Sequence, residues 1–292
     1  MASADNPLDD LRRQIDGIDD ALHDLLMRRA EVAERIGKLK SEGATAVPVF
    51  LRPGREATVL RRLVARHRGA LPKAVLVRLW RELVSALLRL QGPFAVAVQG
   101  ASHGPGCWEL ARDHFGSLTP ITAHESGWLV LRAVIDGEAQ VGVLPLPQPD
   151  AADPWWRHLL NRDPKIPHIV ARLPFAAAGG RGGEAFAVAR APLEPTGKDR
   201  SVIAIETAPQ TSVSGLAAAL KAAGLEPTAS QVWRDPKPGN GWLHFVELDG
   251  FLSADDTRLA ALAKAGDPVR QLWSLGGYAV PFAAAELAGD KA

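Results

Sequence analysis

The 292-residue sequence has little of several features that mark specialised classes of protein. Cys107 is its only cysteine, which excludes an intrachain disulfide and a cysteine-rich zinc site and favours a reducing compartment. The 34 basic and 33 acidic side chains leave a net charge of +1, so no excess charge points to nucleic acid or to an anionic membrane. We therefore expect a small-molecule or protein partner.

Long hydrophobic runs are also missing. No apolar stretch approaches the roughly 18 residues of a membrane span, and the start, MASADNPLDDLRRQID, lacks the apolar core of a signal peptide. The histidines show no metal-binding spacing such as HExxH. These absences predict a cytoplasmic protein with no membrane segment and no metal site.

What the sequence does contain is, first, a long amphipathic helix. It is predicted to begin near Asn6-Pro7 and to end near Glu42-Gly43, and its length of about 50 Å is too great for a small monomeric bundle to cover, which suggests a dimer. The apolar residues that define its buried stripe alternate three and four positions apart: Leu8, Leu11, Ile15, Ile18, Leu22, Leu25, Val32, Ile36 and Leu39.

Two further helices complete an all-α unit over residues 1–92. The second is predicted from about Arg55 to Arg68 and the third from about Pro72 to Gln91, where Gly92-Pro93 stops it. Their predicted inward-facing residues are Val59, Leu60 and Leu63 on the second helix, and Leu76, Leu79, Leu83, Val84, Leu87 and Leu90 on the third.

After Pro93 short strand-like runs alternate with a helical stretch near 108–115, which is typical of an α/β lobe over residues 93–190. The segment APLEPTGKDR at 191–200 reads as a linker. From Ser201 the order strand, helix, strand, strand, helix, strand predicts a ferredoxin-like unit over residues 200–285. The fold class is thus multidomain, with an all-α domain followed by two units that contain sheet.

Two cations on the first helix mark a candidate site. Arg29 falls where the apolar stripe calls for leucine, and a buried guanidinium needs an anionic partner, either a structural Asp or Glu or a bound ligand. Lys40 lies three helical turns further on and on the same face, although alone it could be a solvated lysine at a helix end. Together they favour a site for an anion between helices.

Three segments carry a resemblance to a known family. NPLDDLRRQIDGIDDALHDLLMRRAEVAERIGKLK, RPGREATVLRRL and RLWRELVSALLRLQ resemble the all-helical mutase domain of the bifunctional chorismate mutase–prephenate dehydratases, over about residues 6–91. The resemblance implies an intertwined homodimer with two active sites, each completed by an arginine from the partner.

The resemblance also implies roles for five cations. Arg29 and the Arg12 contributed by the second copy would bind the two substrate carboxylates, and Lys40 would contact the ether oxygen and a carboxylate. Arg55 and Arg52 would add positive charge to the substrate-binding set. Helix geometry agrees for Arg12, which lies about 100° around the helix from Arg29 and so does not easily serve the same pocket.

One acidic residue, Glu56, and one amide, Gln91, complete the set of site residues that the resemblance implies. Glu56 would accept a hydrogen bond from the substrate hydroxyl, and Gln91 would donate one to the ether oxygen. Gln91 continues the stripe through Val84 and Leu87 and is expected to face inward, with a solvated glutamine as the alternative. One departure is Leu87, where the family often has a substrate-contacting serine; Ser85 is the neighbouring hydroxyl.

These residue types suit the rearrangement of chorismate to prephenate. Chorismate is a dicarboxylate that rearranges pericyclically, without a nucleophile, a metal or any other cofactor. Catalysis must come from holding the reactive conformer and from fixed donors placed against the charge that grows on the breaking ether oxygen. Cationic clamps, one lysine and one amide fit that task.

The C-terminal two-thirds resemble the dehydratase and ACT parts of the same family in eroded form. The Pro-Ile-Glu-Asn-Ser motif reads Pro145 to Pro149 here, and the Thr-Arg-Phe motif reads Glu184, Ala185 and Phe186, so the resemblance implies an inactive dehydratase lobe. The phenylalanine-sensing loop reads 213–216 without matching, and so does the second ACT motif at 231–234.

Three functions follow as hypotheses. The first is a chorismate mutase with an inactive dehydratase-like region. The second is a non-catalytic regulator that senses an aromatic amino acid through its ACT-like unit, and the third is a working bifunctional mutase–dehydratase. The complete set of site residues favours the first, and Glu184 and Ala185 disfavour the third.

Overall fold

The computed structural model describes residues 6–42, 49–100, 106–148, 151–161, 163–176, 183–209, 211–234, 241–253, 255–264 and 266–288. Its N-terminal part consists of the three predicted helices: α1 (Pro7–Ser41), α2 (Pro53–Arg66) and α3 (Lys73–Gln91). Helix α2 begins two residues before the predicted start, because Pro53 fits the first turn of a helix, where its missing N–H costs no hydrogen bond. Gly43, at the predicted end of α1, lies outside the described residues.

Helix α1 has favourable residues at both ends. Asn6 caps it by accepting a hydrogen bond from the Leu8 N–H at 3.2 Å, and Pro7 is the first helical residue. Asp9 and Asp10 in the first turn, and basic residues in the last, complement the helix dipole. Along most of its length, however, the predicted buried stripe is exposed in the single chain, since only Ala33 and Gly37 of α1 are buried.

Helix α3 buries only part of the predicted inward face in the single chain. Leu87 is buried as predicted, whereas Leu79 and Leu90 are exposed, and the other buried residues are Val77, Arg81, Ser85 and Leu88. The reason is that the α/β part of the chain covers this side of the helix: Leu88 packs in a cluster with residues of that part, and Arg81 lies over the ring of Phe175.

The remaining chain forms one mixed α/β body. Its elements are β1 (Val96–Gln99), α4 (Cys107–Phe115), β2 (Ile121–His124), α5 (Gly127–Ile135), β3 (Val141–Pro145), a 3-10 helix (Trp155–Leu159), β4 (His168–Leu173), β5 (Ala185–Ala189), β6 (Asp199–Thr207), α6 (Val213–Ala222), β7 (Pro227–Arg234), β8 (Trp242–Asp249), α7 (Thr257–Lys264), β9 (Val269–Ala279) and α8 (Ala284–Leu287).

The described strands join in one nine-stranded sheet with the order β2-β1-β3-β5-β4-β9-β6-β8-β7. Strands β1, β2 and β3 are parallel, whereas β5 is antiparallel to both β3 and β4. From β6 onward the element order is strand, helix, strand, strand, helix, strand, and neighbouring strands are antiparallel.

The segment expected to be a linker, residues 191–200, does not separate two sheets. Strand β4 pairs in parallel with β9 at Ile169 and Gly276, so the sheet continues from one unit into the next. Gly276 has φ +120°, and a Cβ there would overlap the Ile169 backbone, so only glycine permits this close junction.

The core of the sheet body is apolar and aromatic. Trp155 and Trp156 are buried in one cluster with Phe186 and Phe245, in agreement with a packing role for the tryptophan pair. Across the described ranges, no helix is both long and apolar enough to span a membrane. Within the same ranges, no three His, Cys, Asp or Glu side chains are grouped as metal ligands would be.

Candidate active site

Arg29 lies on α1 with no anionic partner from the described part of the chain. No described carboxylate lies within ion-pair distance, so the structural salt bridge considered above is not formed there. Partial burial and then the nearby Arg55 cation lower the pKa of Arg29. An arginine whose principal charged neighbour is another arginine is suited to bind an anion.

Lys40 lies near the end of α1 and is turned toward the chain that follows. Its Nζ donates to the Val49 carbonyl oxygen at 3.1 Å and lies 5.5 Å from the centroid of the Phe50 ring. Burial, followed by the Arg52 cation, lowers the pKa of Lys40, and the Glu194 carboxylate partly offsets this shift. The structure thus brings Lys40 and Arg52 together, as it does Arg29 and Arg55.

Helix α2 presents Arg52, Arg55 and Glu56 from its first turn. Arg52 is the N-cap residue, and its side chain makes no capping hydrogen bond. It pairs instead with Glu194: Nε donates to Oε2 at 3.0 Å, and the second guanidinium nitrogen donates to Oε1. Arg55, by contrast, is an exposed residue.

Glu56 forms a buried ion pair with Arg81 of α3. The Arg81 guanidinium donates to Oε2 at 3.0 Å. The Arg81 side chain is 8% exposed and the Glu56 side chain 13%. The second oxygen, Oε1, is buried without a hydrogen-bond partner among the described residues. Burial raises the pKa of Glu56, and the charge and hydrogen bond of Arg81 oppose the rise.

Arg81 was not predicted as part of the site, although the reasoning applied to Arg29 identifies it. It occupies the stripe through Val77, Ser85 and Leu88, where an apolar residue is expected. Its guanidinium carbon lies 4.9 Å from the centroid of the Phe175 ring.

Gln91 ends α3 and lies against α1. Its Nε2 donates to the Leu87 carbonyl oxygen at 3.2 Å, and a Cβ built on Gly37 would lie 2.8 Å from the Gln91 Cα. Glycine at 37 therefore allows the two helices to approach at this point. Ser85 faces away from that contact, because it packs against Gly116 at the end of α4 and so does not replace the hydroxyl missing at Leu87.

Arg12 is remote from the other predicted residues. It lies on the exposed N-terminal part of α1 and pairs with Asp9 at 2.9 Å, one turn earlier in the same helix. In the single chain Arg29 interacts electrostatically with Arg55, and Lys40 with Arg52, while Glu56 and Gln91 lie on the adjoining helices and Arg12 lies apart from these residues.

The motif positions of the C-terminal part have ordinary partners where they are described. Glu184 accepts two hydrogen bonds from Arg172, both at 3.1 Å. Residues 213–216, expected to be a ligand loop, form the first turn of α6, where the Ser212 hydroxyl accepts the Gly215 N–H and caps the helix. Pro149 of the first motif lies outside the described residues.

The comparisons with known proteins support the family resemblance of the helical part. Residues 11–92 match the family model for chorismate mutase type II. The bifunctional chorismate mutase/prephenate dehydratase of Pseudomonas aeruginosa is 36% identical over 151 residues, which are 50% of this chain and 40% of that protein. The corresponding protein of Neisseria gonorrhoeae is 39% identical over 105 residues, which are 36% of this chain and 27% of that protein.

These curated relatives are thus matched over less than half of their length. Among solved structures, a chain described as GqqA, a novel type of quorum quenching acylase, is 15% identical, with a TM-score of 0.47 over 65% of this chain and 95% of that one. Prephenate dehydratase from Streptococcus mutans is 12% identical, with a TM-score of 0.46 over 65% and 99%. Scores of this size carry no argument about activity. The sequence match is confined to the helical part, where residues 11–92 match chorismate mutase type II.

Proposed function

We propose that this protein is a chorismate mutase that rearranges chorismate to prephenate in aromatic amino acid biosynthesis. The observation that carries the proposal is the group of cations on α1 and α2, in which Arg29 and Lys40 have other cations, Arg55 and Arg52, as near neighbours. Cations gathered in this way stabilise a bound dianion, and the substrate has two carboxylates.

The remaining residues supply the rest of the mechanism. Lys40 and Gln91 would donate hydrogen bonds to the ether oxygen as negative charge grows on it, which lowers the barrier only if the donors are fixed beforehand. Glu56 would accept the substrate hydroxyl through Oε1, which has no hydrogen-bond partner among the described residues but is buried, so substrate binding must open access to it. A pericyclic step of this kind needs no bond to the protein, and none of these residues is required as a nucleophile.

We also propose that the active form is a homodimer. The apolar stripe of α1 is exposed in the single chain, with Ile15, Ile18, Leu22 and Leu25 each more than half exposed. Such a stripe is covered in solution, and a second α1 would cover it with matching residues. That arrangement would also let Arg12 of the second copy reach the site.

The C-terminal part is proposed to consist of a dehydratase-like lobe at 93–190, without dehydratase activity, and an ACT-like unit at 200–285, after the mutase domain at 1–92. The strand order β9-β6-β8-β7 with antiparallel neighbours supports a ferredoxin-like unit. At the position of the expected Thr-Arg pair, Glu184 is engaged by Arg172 and Ala185 has no polar group. We propose a scaffold role for the ACT-like unit and a cytoplasmic location for the protein.

One assay separates these hypotheses. The loss of chorismate absorbance is followed with purified full-length protein, and phenylpyruvate is then measured without an acid step. Chorismate turnover without phenylpyruvate supports a mutase with an inactive lobe. No turnover would support the non-catalytic regulator, and phenylpyruvate formed without acid would show a working dehydratase.

A further inference from the structure

A carboxylate from the C-terminal part of the chain lies among the cations of the proposed mutase site. Glu194 belongs to the connection between β5 and β6, residues 190–198, more than 100 positions from α2 in sequence. Its two oxygens accept hydrogen bonds from Arg52, one of them at 3.0 Å. The connection therefore brings a negative charge to a residue assigned to substrate binding.

Two other site cations also face this carboxylate. The Arg55 backbone N–H and side-chain charge are close enough to Glu194 to lower its pKa. The hydrogen bond and charge of Arg52, together with the Arg55 N–H and cation, hold the pKa of Glu194 below its usual range against the effect of burial. The charge of Glu194 also partly offsets the lowering of the Lys40 pKa by burial and by Arg52.

The approach of the connection to α2 is close and well anchored. A Cβ on Gly54 would lie 2.9 Å from the Glu194 Cβ and 3.0 Å from its carbonyl oxygen, so a larger residue would force the chain away. Further along, the Arg61 guanidinium donates to the Thr196 hydroxyl at 2.6 Å and to the Lys198 carbonyl oxygen at 2.9 Å. Contacts with Gly54 on one side, and of Thr196 and Lys198 with Arg61 on the other, thus fix the position of Glu194.

We propose that Glu194 is a residue of the mutase site that occupies the position on Arg52 that a substrate carboxylate would take. The inference rests on the proposed function and adds an element to it, an internal anion that sets substrate affinity. An incoming dicarboxylate must displace Glu194 from Arg52 before it gains that contact. The C-terminal part would then tune the KM of the mutase without touching the reacting atoms.

The first test is Glu194→Gln, which keeps the shape and one acceptor but removes the charge. We expect KM for chorismate to fall about threefold, the size typical of a partly exposed ion pair, with kcat changed less than twofold. Glu184→Gln is the matched control, because Glu184 forms the same bidentate ion pair with Arg172 in the α/β lobe, and KM should not change in this variant. An unchanged or raised KM in Glu194→Gln would overturn the inference.

A second variant moves the carboxylate without removing it. Gly54→Ala places a methyl group against Glu194 and displaces the connection, so it too is expected to lower KM. A structural role for the ion pair would instead give a lower melting temperature with an unchanged KM in both variants, and this result would refute the inference.

Binding of malonate, a simple dicarboxylate, gives a readout that does not depend on turnover. Titration calorimetry should show about threefold tighter binding to Glu194→Gln than to the wild type, for the same reason. If the wild type fails to consume chorismate, the proposed function fails, while the malonate comparison still decides the role of Glu194. Equal malonate affinities would reject it.

Discussion

The buried pair of Glu56 and Arg81 allows a quantitative test of the proposed site. Replacing Arg81 by methionine keeps an unbranched side chain over Phe175 but leaves Glu56 without its counter-charge. Removing one partner of a buried pair typically costs about 3–5 kcal/mol, because the remaining charge is left uncompensated. Since both side chains are nearly inaccessible to water, screening by solvent does not reduce this cost appreciably.

Protonation of Glu56 limits the penalty and makes it depend on pH. A carboxyl group with an ordinary pKa of about 4.3 costs about 3.7 kcal/mol to protonate at pH 7, at about 1.4 kcal/mol per pH unit. The expected loss in Arg81→Met is therefore about 3–4 kcal/mol at pH 7 and only about 1 kcal/mol at pH 5.

The direction of the effect follows from the pKa of Glu56. Burial raises it in the folded protein, so the folded state binds more protons than the unfolded state above the ordinary pKa, and stability falls as the pH rises through the folded pKa. Loss of the Arg81 charge would raise the pKa of Glu56 further and increase the loss of stability as the pH rises. His114 is the other titratable group near Arg81, and its pKa is lowered mainly by its own burial, which the variant leaves in place.

The measurement is urea unfolding at pH 5, 6 and 7, followed by far-ultraviolet circular dichroism. The double variant Arg81→Met, Glu56→Gln is the control, because it has no unpaired buried carboxylate. Its free energy of unfolding at pH 7 should be at least about 2 kcal/mol higher than that of Arg81→Met alone. A loss that is equal at pH 5 and pH 7 would refute the reasoning, since it would mean that packing against Phe175, and not the unpaired carboxylate, accounts for the effect.

Three other predictions concern α1. Arg29→Ala should remove most of the mutase activity measured by chorismate absorbance, because it deletes a carboxylate clamp; a rate within a few-fold of wild type would argue against that role. Gly37→Ala should cost about 1–3 kcal/mol in urea unfolding, since its Cβ meets the Gln91 backbone, whereas Gly17→Ala, with open space around it, should gain up to about 1 kcal/mol. Leu22→Asp should convert a dimer to monomers in sedimentation analysis, and a wild-type monomer would contradict the dimer proposal.

The sequence was a good guide to the elements and a poorer guide to their buried faces. The period of apolar residues predicted all three helices of the mutase domain, because helix geometry is encoded locally. On α3 it predicted the burial of Leu87 but not that of Val77 and Leu88, since the residues that cover these two come largely from positions far along the chain. A pattern of leucines cannot show which of two apolar faces meets which neighbour.

The same limit applied to the site. Arg29 and Lys40 are candidates in the sequence because they interrupt a periodic stripe or share its face, and Arg81 could have been identified in the same way. Glu194 could not, because nothing in APLEPTGKDR distinguishes a glutamate that reaches Arg52 from one in solvent. Long-range ion pairs leave no periodic signal in a single sequence.

The contacts between the helices and the sheet body bear on why the C-terminal part is present at all. Phe175 and Phe282 pack in one cluster with Ala57 and Leu60 of α2, so residues beyond the mutase domain complete its core. Arg61 of α2 is anchored to Thr196 and to the carbonyl oxygens of Lys198 and Val280. Removing the C-terminal part would expose this apolar surface and free the N-terminal turn of α2, from which Arg55 and Glu56 project. The sheet body can therefore be required for mutase activity through structure alone, whether or not it performs any chemistry.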